Sequence, residues 1–130
     1  MAAEHLAYLD KAIESLAGAE SEFANRRYNN CANRCYYAMF QAAIAALIVA
    51  SIRPANVKGQ WDHDFVQAQF SGVLIARRKL YPSVLAAHFS EVGERRLTAD
   101  YGAVSVSQTV DERAVQKTRL FVFAVQKRII

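Results

Sequence analysis

The segment from residue 28 to residue 52 carries apolar side chains on two opposite sides of one helix. A second stripe, two residues out of step with the first, is polar at its start and apolar towards its C-terminal half. A surface helix keeps the side that faces solvent polar. We therefore predict that this helix is covered on both sides, as the central helix of the domain, as half of a dimer interface, or as both. The first stripe is Tyr28, Ala32, Cys35, Met39, Ala42, Ala46 and Ala50, and the second is Asn30, Arg34, Tyr37, Gln41, Ile44 and Ile48.

Four further segments follow the spacing of amphipathic helices. They span about residues 3–26, 62–77, 82–101 and 109–128. The only strand-like stretch, residues 103–106, is too short to imply a sheet. With 53% hydrophobic residues, the chain has enough apolar mass for one core. We predict a single all-α domain over residues 1–130.

The breaks between these helices carry recognisable signals. A linker at residues 53–59 contains Pro54, and proline disfavours a helical residue before it. Pro82 suits the first turn of the fourth helix, and Gly102 suits its end. Residues 109–112, Thr-Val-Asp-Glu, form a capping-box pattern that predicts the start of the fifth helix.

Composition narrows the function classes. The net charge of +4 permits a phosphate-bearing partner without requiring one. Cys31 and Cys35 share one helix face, but two thiols are too few for a stable metal site, so we expect two buried thiols and no cofactor. The start of the chain lacks the pattern of a signal peptide, and the longest apolar run, residues 42–50, is too short to span a membrane. We expect a cytoplasmic protein.

Arg96 and Asp100 form the first candidate site. Arg96 continues the inward stripe of the fourth helix, so we expect its guanidinium to be partly buried, and Asp100 lies one turn later as its partner. The pair has two interpretations. It is either a structural ion pair at the end of the helix or a phosphate site, for which the planar donor fork of arginine is suited.

Two other groups of polar residues are candidates. Asn29, Asn30 and Asn33 are typical of solvated or capping side chains, whereas Arg34, beside Tyr37, is predicted to point to the covered face and to need acceptors there. A neutral histidine near arginines is a plausible acid or base in phosphodiester cleavage. His63 is either an ordinary helix-start residue or part of such a site. His88, about two turns before Arg95 and Arg96, would share their face.

Two elements of the sequence resemble the HEPN-domain family. Residues 27–43, RYNNCANRCYYAMFQAA, resemble the family helix that typically reads RAYYAMFHAA, and residues 96–102, RLTADYG, resemble its R-x-x-A-D-Y-G element. His63 falls where relatives often carry a histidine. The similarity covers residues 5–128. It implies an up-and-down bundle of four main helices plus a shorter fifth, usually homodimeric, often paired with a nucleotidyltransferase in toxin–antitoxin modules.

The resemblance also implies a chemistry. Many HEPN proteins are metal-independent ribonucleases that use an Arg-x(4–6)-His motif at a dimer interface. No histidine stands at that distance after Arg95 or Arg96. Either His63 or His88 replaces it, or the chain binds RNA or a nucleotide without cutting. The resemblance also makes Tyr101 a candidate target for nucleotide transfer.

Two hypotheses follow for the function. In the first, the chain is a HEPN-type component of a toxin–antitoxin or defence module and cleaves RNA, with Arg96 on the phosphate, Asp100 orienting it and His63 or His88 assisting proton transfer. Arg34, Arg95 and Tyr37 would then help to bind the nucleic acid. In the second, the chain is a non-catalytic protein that binds RNA or a nucleotide, or docks a nucleotidyltransferase.

Overall fold

The computed structural model describes residues 4–56 and 58–130, and every regular element within those residues is helical. The strand-like stretch at residues 103–106 contains bends and no strand. The predicted all-α class is therefore confirmed. The helices are α1 (Glu4–Ala24), α2 (Tyr28–Val49), α3 (His63–Gln69, continued by a π-helical segment, Phe70–Arg77), α4 (Val84–Tyr101) and α5 (Gln108–Ile129).

Helix α2 is the central helix, as its two apolar stripes predict. It contacts α1, α3, the π-helical segment, α4 and α5. On its second stripe Ile44 is buried and Tyr37 is half-buried. Helix α1 covers this side, where the Gln41 amide and the Ser15 hydroxyl are hydrogen-bonded at 2.8 Å. The covering of both sides therefore comes from within the chain.

Three phenylalanines from different elements form the aromatic centre of the core. Phe70 of the π-helical segment and Phe89 of α4 both pack on Phe121 of α5, with ring centroids 4.9 and 5.2 Å apart. All three are fully buried. Burying such a side chain stabilises the fold by about 1.5–3 kcal/mol. This cluster anchors α4 against α5 and the π-helical segment, and it orients the stripe of α4 that ends in Arg96.

Several predicted helix boundaries are wrong by a few residues. Helix α5 begins one residue before Thr109, because the hydroxyl of Ser107, and not a Thr109 capping box, accepts the backbone N–H of Val110 at 3.2 Å. Helix α2 ends at Val49 rather than residue 52, since Ser51 has a φ of 63°. The predicted start of the first helix at residue 3 lies outside the described residues.

Candidate functional site

Tyr36 lies at the meeting point of three helices. Its side chain, on α2, is 2% exposed. Its hydroxyl is 2.7 Å from Nδ1 of His63, the first residue of α3. The guanidinium of Arg96, on α4, lies 4.7 Å from the centre of the Tyr36 ring. The fold therefore brings His63 and Arg96 to the same tyrosine.

The start of α3 fixes the position of His63. Asp62 caps this helix, because its carboxylate accepts the backbone N–H of Phe65 at 2.8 Å. The imidazole of His63 then packs against two rings of α2, those of Phe40 and Tyr37, at centroid distances of 4.7 and 6.0 Å. The capped helix end and the rings of Phe40 and Tyr37 thus hold the imidazole in a fixed position. An acid–base group needs such a position.

Arg96 is held from two directions. Its side chain is only 13% exposed, and its Nη1 is 3.5 Å from Oδ2 of Asp100, so the predicted ion pair is present. Asn33 of α2 donates to both oxygens of the same carboxylate, at 3.2 and 3.3 Å. The Nε of Arg96 is buried and has no hydrogen-bond partner in the described part of the chain. Within the described residues only Nη1 is engaged, so the other N–H donors of the guanidinium remain uncommitted.

A glycine stands where α4 packs against this tyrosine. A Cβ placed on Gly93 would lie 3.4 Å from the Tyr36 ring, at the short end of ordinary van der Waals contact. The α4 backbone at Gly93 therefore lies close to the ring. This approach places Arg96, three residues later, over the face of the tyrosine.

The environment sets the protonation of Tyr36 and His63. Burial raises the pKa of Tyr36 to about 12, with a smaller opposing effect from Arg96. Burial, and then the charge of Arg96, lowers the pKa of His63. At neutral pH the tyrosine is therefore protonated and the histidine neutral. The Tyr36 hydroxyl either donates to Nδ1, which leaves the proton of the histidine on Nε2, or accepts from Nδ1–H, which leaves Nε2 free to take a proton.

These residues open onto a cavity of about 240 Å³. Tyr36, His63 and Arg96 all line it, and together they offer a buried phenol, a neutral imidazole and a cation. The carboxylates of Asp64 and Glu94 also line it, so the cavity is not uniformly positive. Such an arrangement can bind an anionic group at Arg96 and exchange a proton with it at His63. The other lining residues are Gln67, Ser90, Gly93 and Leu97.

Two residues predicted to share the face of Arg96 lie elsewhere. His88 does not line the cavity of Arg96; its pKa is lowered by burial and then by Lys117 of α5. Arg95 lines a groove between α4 and α5. Successive helical residues point about 100° apart, so Arg95 and Arg96 do not share a face. His88 stands seven residues, close to two full turns, before Arg95 and therefore lies on the side of Arg95; the prediction that it shares the face of Arg96 is wrong.

Arg34 is exposed, so the prediction that it points to the covered face is wrong. Its guanidinium lies 5.5 Å from the Tyr37 ring and its Nη2 donates to Oδ1 of Asn33 at 2.8 Å. Asn33 in turn donates to Asp100. Arg34 is thus connected to Arg96 through two side chains, and it does not itself line the cavity.

Tyr101 is 78% exposed at the last residue of α4. It does not line the cavity of His63 and Arg96. The residue that the sequence pattern did not single out is Tyr36, since Tyr37 is the tyrosine on the stripe of Arg34. The available signal was a phenol within a largely buried stretch of α2, because a buried tyrosine hydroxyl usually finds a partner.

Metal-binding clusters and membrane-spanning helices are both absent from the described residues. Across 4–56 and 58–130, no cluster of three or more histidine, cysteine, aspartate or glutamate side chains has the arrangement to hold a metal ion. None of the helices in those same ranges has both the length and the apolar character to cross a membrane.

A family model described as HEPN domain matches residues 5–128, which is nearly the whole chain. No curated protein matches the sequence.

Proposed function

The chain belongs to the HEPN domain family, and from that premise we propose that it is the HEPN-type component of a toxin–antitoxin or defence module. Its proposed activity is metal-independent RNA endonuclease cleavage. The observation that carries this proposal is the convergence of His63 and Arg96 on Tyr36. In the proposed architecture, residues 1–130 form one cytoplasmic domain, an up-and-down bundle of four main helices plus a shorter fifth.

Arg96 is the proposed phosphate-binding residue. Asp100 and Asn33 orient its guanidinium, while the buried Nε is left without a partner in the described chain. A planar donor fork of this kind binds two oxygens of one phosphate. Because the side chain is largely buried, its charge is less screened than that of a surface arginine, and it would stabilise the negative charge that grows on the phosphate during cleavage.

His63 is the proposed proton-transfer residue in place of the absent motif histidine. The 2′-hydroxyl attacks phosphorus, the bond from phosphorus to O5′ breaks, and a 2′,3′-cyclic phosphate and a 5′-hydroxyl result. Nε2 of His63 takes the 2′-hydroxyl proton while Nδ1–H is donated to the Tyr36 oxygen, and the same proton then passes to O5′. The Tyr36 hydroxyl both donates and accepts, so it supports either tautomer.

The proposed partners follow from the family. We propose a homodimer whose two copies place their cavities along one cleft, and a nucleotidyltransferase encoded nearby. The exposed Tyr101 is the proposed site of nucleotide transfer, since it is accessible at the end of α4. Arg34 and Tyr37 are proposed to help to bind the RNA. Sedimentation of the purified protein would show two copies, and co-expression would yield a stoichiometric complex with the nucleotidyltransferase.

A specific observation favours a second candidate, binding without cleavage. Asp64 and Glu94 line the cavity, and Asp100 already neutralises part of the charge of Arg96. These carboxylates weaken the attraction for a polyanion. A protein that binds a nucleotide or RNA without turnover would tolerate this, and it would not need the proton transfer of His63.

Cleavage of mixed RNA substrates in the presence of EDTA tests the proposal. We expect the wild type to produce 2′,3′-cyclic phosphate ends, and we expect Arg96→Lys and His63→Asn to lose this activity while circular dichroism shows intact helices. Arg77→Lys is the matched control, because Arg77 lies outside the cavity. Full activity in the folded Arg96→Lys and His63→Asn variants would contradict this site. Binding by the wild type without cleavage would favour the second candidate.

A further inference from the structure

A basic groove lies between α4 and α5, on a different side of α4 from the cavity of Arg96. Arg95 of α4 and Arg113 and Lys117 of α5 line it, and Glu91 is the only carboxylate among its lining residues. The apolar side chains of Val92, Val110 and Ala114 complete its lining. Three cations therefore share a small concavity with one anion.

One ion pair joins the two helices across this groove. Lys117 of α5 forms an ion pair with Glu91 of α4 at 3.1 Å. Arg95 and Arg113 each lie one turn from this ion pair, on the side of the connecting loop, and both line the groove. Neither arginine has an ion-pair partner within residues 4–56 and 58–130. Two like charges thus line the groove one turn from an opposite pair.

Neighbouring carboxylates do not neutralise this arginine pair. Glu94, next to Arg95, lines the other cavity, and Glu112, next to Arg113, is not among the residues of the groove. Residues adjacent in a helix do not face each other. Asp111 is fully buried, away from the groove. The donors of the two arginines are therefore not engaged by these neighbouring carboxylates, and they remain free to bind an anion in the groove.

The size of the groove indicates the kind of anion. Its volume is about 100 Å³. Pockets for drug-sized ligands occupy roughly 300–1,000 Å³, so this groove suits one small charged group and not a nucleobase. Two guanidinium forks and an ammonium group match the several oxygens of a phosphate.

We propose that Arg95, Arg113 and Lys117 form a second phosphate-binding site, separate from Arg96. The ligand is a phosphate group of the backbone of single-stranded RNA. The identification of RNA as the source of this phosphate rests on the proposed function. An RNA strand seated at Arg96 and crossing α4 places a later phosphate in this groove. The site thereby sets the direction in which the strand leaves the cavity.

The first test follows the arginine Nε–H signals of the wild-type protein by NMR. The probes are inorganic phosphate and a ten-nucleotide single-stranded RNA. We expect the signals of Arg95 and Arg113 to shift saturably, and that of Arg77 to stay unchanged. A shift with the oligonucleotide assigns the site to the RNA backbone, whereas a shift with inorganic phosphate alone overturns RNA as the source. No shift with either probe overturns the site.

The second test measures RNA affinity as a function of salt for the double variant Arg95→Gln/Arg113→Gln. Losing the neutralisation of one backbone phosphate reduces the magnitude of the slope of log affinity against log salt by about 0.7 for a single strand. We expect a fall of about this size, and no fall for the control Arg77→Gln/Arg128→Gln, which removes the same charge. An equal fall in both double variants would overturn the groove as a specific site.

The two proposals fail separately. One outcome would overturn the groove and leave the proposed nuclease intact. In it, cleavage depends on Arg96, the Nε–H signals of Arg95 and Arg113 do not shift, and the double variant keeps the wild-type slope of RNA affinity against salt. Shifts of Arg95 and Arg113 with the oligonucleotide, in a protein that does not cleave RNA, would overturn the nuclease and support the groove.

Discussion

Two polar clusters are packed against α2, and they differ in what surrounds them. In the cluster of Tyr36, His63 and Arg96, the phenol has a partner at 2.7 Å and the whole group opens onto a cavity. In the cluster of Cys31 and Asp111, both residues are 0% exposed, and neither oxygen of the carboxyl has a hydrogen-bond partner in the described chain. The first cluster is accessible to a ligand and the second is closed.

The closed cluster, Cys31 and Asp111, affects how the stability of the folded protein depends on pH. Burial raises the pKa of Asp111 to about 7, with the Cys31 thiol opposing this effect. A hydrogen bond with Cys35, followed by burial, raises the pKa of Cys31. Both cysteines are free, as predicted from the sequence. Burial of an ionisable side chain therefore does not by itself identify a site; a cavity and uncommitted donors are needed as well.

The largest expected effect is on the open cluster. Arg96→Lys keeps the charge but loses the fork, so we expect RNA cleavage to fall by about 100- to 1,000-fold, as when one preorganised donor is removed from an active site. Rates are measured in EDTA with substrate in excess. Unfolding by urea should shift little relative to wild type. A comparable fall in Arg77→Lys would argue against a specific role for Arg96.

The next effect is on the closed cluster and concerns stability. The pKa of Asp111 is about 7 in the folded state against 3.8 for an ordinary aspartate, so only the unfolded chain releases this proton readily. Stability therefore falls as pH rises from about 4 to 7, and the loss is complete above pH 7. Asp111→Asn removes this loss, and we expect it to stabilise the protein by on the order of 3 kcal/mol at pH 8.

Urea unfolding under reducing conditions at pH 4.5 and pH 8 measures this difference. At the lower pH the variant and the wild type should be about equally stable, because the carboxyl is protonated in the folded protein. RNA cleavage per folded molecule should be the same in both. A variant that is less stable at pH 8 would show that Asp111 has partners that compensate its burial.

A smaller effect is expected for Tyr36→Phe, which keeps the ring under Arg96 and removes the hydroxyl. Loss of the hydrogen bond to His63 should lower stability by about 1 kcal/mol. If the Tyr36 hydroxyl accepts from Nδ1–H and so selects the tautomer that the mechanism uses, nitrogen chemical shifts of the His63 ring in the variant will show the proton moving from Nδ1 towards Nε2. Unchanged chemical shifts would show that the Tyr36 hydroxyl does not determine which ring nitrogen of His63 carries the proton.

The smallest effect is expected for Arg34→Gln. Arg34 is exposed and reaches Asp100 only through Asn33. We expect stability to change by less than about 0.5 kcal/mol and cleavage to change little, since surface substitutions usually have small effects. RNA affinity measured at low salt should fall by only a few-fold. A loss of cleavage as large as that of Arg96→Lys would place Arg34 inside the site.

The parts of the site that lie on one helix could be predicted from the sequence. The ion pair of Arg96 with Asp100 follows from a spacing of four residues, and the partial burial of Arg96 follows from the stripe that it continues. The meeting of His63 with Arg96 could not be predicted. It depends on how α3 docks on α2, and the residues that decide this docking are far apart in the chain.

The sequence by itself determined the all-α class, the covering of α2 on both sides and the two buried cysteines, because helix periodicity and apolar patterning are local properties that each segment carries. Only the tertiary structure decided that Tyr36 joins His63 to Arg96, that Arg34 is exposed, and that Arg95 and Arg96 serve different sides of α4. The reason is geometric. Rotation about a helix axis and the docking of one helix on another depend on the packing of the whole core, and no single segment contains that information.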